Sequence, residues 1–166
     1  MTFGYYASVT LHILAALLWL GGMFFLAVAG APVLRTVEPP ELRQRLFTTI
    51  GERFRLIGWI AIAILVITGA INLAYRGWLR WDDVLASRDF WRTTTGISLG
   101  IKLGAVAVMI VISAVHDFIH GPAAGRAVPG SAEATALRRR AATYARWNAM
   151  LGIVVVVAAV LLVRPG

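Results

Sequence analysis

Four apolar runs dominate this chain, each roughly 20 residues long: about 6–28, 56–75, 97–119 and 145–163. A helix rises about 1.5 Å per residue, so each run can cross the roughly 30 Å hydrocarbon layer of a bilayer. Inside that layer every backbone N–H and C=O must be satisfied within the protein, and a helix does this with its own residues. The expected fold is therefore all-α: an integral membrane four-helix transmembrane bundle, forming a single transmembrane domain over residues 1–166. With 59% hydrophobic and 14% charged residues, little chain remains for a soluble domain.

The net charge of +8 does not indicate nucleic acid as a partner. The arginines fall between the apolar runs, beside helix ends, where the headgroups of the lipid bilayer are nearer. Ten arginines lie in the first and third connections together, and five in the second connection and the C-terminus. The positive-inside rule then places both termini outside a bacterial-type plasma membrane. There is no cysteine, which rules out disulfides, thiolate-held iron–sulfur clusters and covalently attached c-type haem in this chain. No basic region precedes the first run, which is also longer than a signal-peptide core, so it is expected to stay as a helix. Pro32 is expected to end that helix, and Gly121-Pro122 the third.

The third run is apolar for a membrane-crossing length, yet it contains Lys102, His116, Asp117 and His120. Ionisable residues within a span are costly and point to function. At 100° per residue, Lys102, Met109, Ser113 and His116 fall in one stripe, with His120 about 40° from His116. Gly96, Gly100 and Gly104 form a row of small residues that suits close approach of another helix, within the chain or in a homo-oligomer.

Depth decides which polar residues can meet. His12 and Lys102 each lie about five residues into parallel spans, about 7–8 Å below the same edge. Asn72 lies at a similar level. His116 is roughly 20 Å further along, so His12 and His116 of one chain cannot flank one iron. His12 alone, or His12 with Lys102, can ligate a b-type haem in a slot lined by glycine and apolar residues. Arg76, Arg80 and Arg92, on the same side, are candidate partners for haem propionates. Burial would favour the neutral amine that ligation by Lys102 requires. Lys102 could equally pair with a propionate, carry protons or snorkel to the interface.

His116 and His120, spaced i, i+4, form a candidate second metal site, with Asp117 about 100° away. Two ligands alone make that site incomplete. Asp117 could instead pair with Arg126 or with an arginine of the first connection. Met23, Met109 and Met150 suit packing as well as ligation.

These spacings resemble a known family. His12-x6-Trp19-x-Gly21-Gly22 in the first helix, Thr68-Gly69 in the second, Lys102-Leu103 in the third and a closing Leu-Val-Arg-Pro together resemble the copper-resistance protein D (CopD) family. They also resemble the related HemJ-type protoporphyrinogen oxidases. The resemblance spans all four helices. From the HemJ-type branch it implies haem b, with His12 and Lys102 important for function; from the CopD branch it implies copper handling. The HemJ-type pattern favours Asn-Glu at the start of the last helix, where this chain has Asn148-Ala149. The expected function is a haem b membrane protein with an electron-transfer or small-molecule redox role, gases included. The alternative is a copper-handling or transport protein using His116, His120 and nearby methionine.

Overall fold

In a computed structural model the described residues, 3–79 and 85–163, form four long helices. They are α1 (Phe3–Arg35), α2 (Pro40–Tyr75), α3 (Thr94–Arg126) and α4 (Ala132–Val163). A short 3-10 turn, Phe90–Arg92, precedes α3. All four helices are long and apolar enough to cross a membrane, and the chain is an integral membrane protein. The Leu-Val-Arg-Pro ending runs past Val163, outside the described residues.

The expectation that prolines end α1 and α3 fails twice, in the same way. Each helix opens into a five-residue π-helical turn, Leu26–Gly30 in α1 and His116–His120 in α3. There the Ala31 N–H reaches Leu26 O and the Gly121 N–H reaches His116 O. Proline has no N–H, and its ring crowds the carbonyl of the preceding turn. A wider turn relieves that crowding, so each helix carries on past its proline. The amphipathic first connection and the second span form one helix, as Pro39-Pro40 suggests. Ser131 caps α4, its Oγ accepting from the Ala134 N–H at 3.1 Å.

Packing follows membrane logic. Large aliphatic residues such as Leu17, Ile67, Val111 and Val156 face outward, where lipid solvates them. Most buried positions are small or polar, among them Ala15, Ala61, Ala105, Ala149, Ser98, Ser113, Thr68 and Asn148, with Ile62, Leu99 and Leu34 as buried aliphatic residues. Trp19 and the fully buried Met109 fill the centre. The helices associate as pairs, α1 along α2 and α3 along α4, with much sparser contact between the pairs. Among the described residues, hydrogen bonds joining the two pairs all lie in the half of the bundle remote from His12. Trp59 Nε1 donates to Asp117 Oδ2 at 3.0 Å, and Gln44 Nε2 to the carbonyls of Gly125 and Ala127 at 3.0 and 2.8 Å. Such bonds contribute only about 0.6 kcal/mol each in a membrane, so packing carries most of the association between the pairs.

The glycine row of α3 meets a turn rather than a helix. A Cβ on Gly96 would lie 2.0 Å from Phe90 O, and one on Gly100 would lie 3.5 Å from the Trp91 ring. Gly104 has nothing within 4 Å. Two of the three glycines thus make room for the Phe90–Trp91 turn, which corrects the expectation of a helix–helix contact along this row.

Candidate functional site

At the end of the bundle where the chain starts, Tyr5, Tyr6 and Tyr75 form one aromatic group and Trp78, Phe90 and Trp91 another, both of interfacial type. His12 lies just below them. Its Nδ1 is 2.8 Å from Thr68 Oγ1, and that hydroxyl donates its single proton to Ile64 O at 2.6 Å. The hydroxyl must therefore accept from His12, so the proton of the neutral imidazole sits on Nδ1. The lone pair then sits on Nε2. The ring packs over Gly69, whose absent Cβ would lie 3.6 Å from His12 Cε1. The Thr68-Gly69 pair thus sets both the tautomer and the seat of the histidine.

Lys102 comes from the opposite helix pair. It lies within electrostatic reach of His12, as Arg76 does of Lys102. Among the described residues no acidic side chain pairs with Lys102. Asn72, one turn beyond Thr68, has a buried Oδ1 with no hydrogen-bond partner among the described residues. The level thus brings together an imidazole, an amine and an amide oxygen, the last two without a partner among the described residues.

The other expected residues are dispersed. Arg76 lies 5.2 Å over the Trp78 ring, and Arg92 pairs loosely with Asp89 at 3.7 Å. Arg80 lies outside the described residues. His116 and His120 take different partners: His116 Nδ1 contacts Asp117 Oδ1 at 2.9 Å, while His120 stacks on Tyr144 at 4.8 Å. The π-helical turn changes their i, i+4 relation from the α-helical one assumed from sequence. Among the described residues no three His, Cys, Asp or Glu side chains converge as a metal cage. Asp117 is held by His116 and Trp59, and its carbonyl accepts from Arg55 at 3.2 Å.

A cavity of about 1010 Å³ opens at the opposite, arginine-rich end, and its lining includes neither His12 nor Lys102. The expected slot between those two residues is therefore not the large cavity of the bundle. Sequence reasoning missed this cavity. The signals were Gln44 on the amphipathic segment and the run Arg138-Arg139-Arg140 on α4.

The copper resistance protein D family profile matches residues 48–162. The chain belongs to this family. The match covers Thr68, Asn72, Lys102 and His116, and His12 precedes it. An uncharacterised protein of Aquifex aeolicus (strain VF5) is 32% identical over 112 residues, 67% of this chain. This chain spans 66% of that relative's length. No solved structure matches.

Losing the Thr68 hydroxyl is expected to weaken any metal held by His12. A partner that fixes the second ring nitrogen of a ligating histidine is typically worth about 10–100-fold in affinity. Thr68→Val should lose that factor and Thr68→Ser should keep it, measured as cofactor retention through purification.

Proposed function

We propose that this CopD-family member is a haem b membrane protein in which His12 Nε2 ligates the iron. Its role is electron transfer or redox chemistry on a small molecule, gases included. The single observation that carries this reading is the imidazole oriented by Thr68, with its Nε2 lone pair available and Lys102 on the opposite helix pair at the same level. The donor set favours a macrocycle over a bare ion. A porphyrin brings four nitrogens of its own, so one imidazole is enough to hold it. A caged copper or zinc ion needs several protein donors, and among the described residues no such group converges. Lys102 would serve as sixth ligand or, with Arg76, as partner to the propionates. Among the described residues no hydrogen bond joins the helix pairs at this level, which favours a seam that parts to admit a flat ligand. When bound, haem would supply one-electron chemistry. The protein would supply the axial nitrogen, the positive charge and the apolar surroundings that tune it. By the arginine bias, this end of the bundle faces outward.

Family membership favours a second reading, copper handling. His116 and Met23 both line the large cavity and could pass copper along it, with His120 set aside on Tyr144. One experiment separates the two readings: optical spectroscopy with metal analysis of protein expressed with ample haem and copper. Iron with a Soret band supports the first reading. Copper without a Soret band overturns it in favour of the second.

A further inference from the structure

The large cavity at the arginine-rich end has two chemically different parts. Arg35, Arg43, Arg138 and Arg139 line its mouth, while Trp19, Met23, Phe47, Phe54 and Ile62 form apolar walls further in. Along α4 the lining runs from Thr135 to Asn148, about 20 Å at 1.5 Å per residue. The acidic residue of its lining, Asp117, is held by His116 and Trp59, and the exposed Glu38 outside the lining pairs with Arg43 at 3.1 Å. Among the described residues, Arg35, Arg138 and Arg139 have no acidic partner. Partial burial, then the neighbouring Arg43, hold Arg138 below the ordinary arginine range. A guanidinium nevertheless stays charged in a protein. Arg43 has one carboxylate partner, Glu38, so the four arginines at the mouth carry more positive charge than the described acidic residues balance, and an anion is favoured there.

The buried acceptors give a second, independent signal. Asn148 is 4% exposed and lines the cavity. Its Nδ2 donates to Ser113 Oγ at 2.7 Å, which leaves its buried Oδ1 without a donor. Gln44 likewise spends its Nε2 on two carbonyls, and its buried Oε1 has no partner. Buried acceptors of this kind are rare because each costs about 1–3 kcal/mol.

We propose that this cavity binds a phosphate-headed amphiphile whose head also carries hydroxyl donors. The phosphate sits at Arg43 and Arg138, a hydroxyl donates to Gln44 Oε1, and an apolar chain runs inward past Phe47 and Phe54. A water or hydroxyl brought in with the ligand satisfies Asn148 Oδ1. Basic pockets between membrane helices are an established kind of site for anionic lipid heads. The length of the cavity favours such a lipid over a free phosphate, which would occupy the mouth alone.

Native mass spectrometry of the full chain in detergent tests this, with phosphatidylglycerol, phosphatidylcholine and inorganic phosphate as separate probes. Phosphatidylglycerol should bind at least tenfold tighter than phosphatidylcholine, and millimolar phosphate should not displace it. R43Q/R138Q should weaken phosphatidylglycerol binding about 30-fold. R140Q, off the cavity lining, should leave it unchanged. Equal binding of the two lipids, or equal loss in R43Q/R138Q and R140Q, overturns the proposal. So does displacement of the lipid by phosphate, which would make this a site for soluble anions. The two-lipid comparison uses the wild-type chain and decides the matter even if the double variant fails to fold.

Discussion

Replacing His12 with alanine is expected to remove bound haem altogether: no Soret band after haem-replete expression, against a clear band in the wild type. The effect should be total because His12 is the only histidine at its level of the bundle. The other two, His116 and His120, lie at the far end and are engaged with Asp117 and Tyr144. Lys102→Ala is the informative companion. If Lys102 is the sixth ligand, this variant keeps its haem but changes coordination state. If Lys102 pairs with a propionate, coordination stays as in the wild type and only retention falls. A His12→Ala protein that folds and keeps a wild-type spectrum would refute the haem reading. The copper reading and the lipid cavity would be untouched, because neither uses His12.

The second large effect is expected at Gly96, where the cause is steric. A Cβ there would lie 2.0 Å from Phe90 O, 2.7 Å from Phe90 C and 2.9 Å from Trp91 Cα. All three are backbone atoms, so no flexible side chain can give way. The same glycine N–H donates to Thr93 Oγ1 at 3.1 Å, the cap that starts α3. Gly96→Val should therefore displace the Phe90–Trp91 turn and cost about 1–3 kcal/mol from overpacking. Loss of the cap should add about 1 kcal/mol. Thermal unfolding in detergent, followed by tryptophan fluorescence, measures the sum. Gly104→Ala is the control: with nothing within 4 Å of its Cβ, it should unfold like the wild type. A Gly96→Val chain as stable as that control would mean that the turn is not anchored on α3.

Within the candidate site, legibility depended on whether a residue's role was local. His12 and Lys102 stood out as ionisable groups inside apolar runs, and their depths followed from helical rise alone. The role of Thr68 was hidden. A threonine in a span can as easily bond its own helix, and nothing in the second run marks which residue of the first it will face. The contacts of His116 with Asp117 and of His120 with Tyr144 were hidden because this stretch winds as a π-helical turn, which an α-helical period does not anticipate.

The residues by themselves determined that four helices cross a membrane, because a run of apolar side chains in lipid leaves the backbone one way to satisfy itself. They determined the start of the fourth helix at the Ser131 cap, and the union of the amphipathic connection with the second span. Tertiary structure decided how the helices pair, what occupies the glycine row, and where the large cavity lies. It also decided that helices α1 and α3 continue past their prolines. Each of these depends on which surface arrives opposite a given face. In a bilayer, lipid competes for every apolar face on nearly equal terms, so hydrophobic pattern cannot select the neighbour. Small residues, a tautomer fixed by one hydroxyl and a widened turn select it instead.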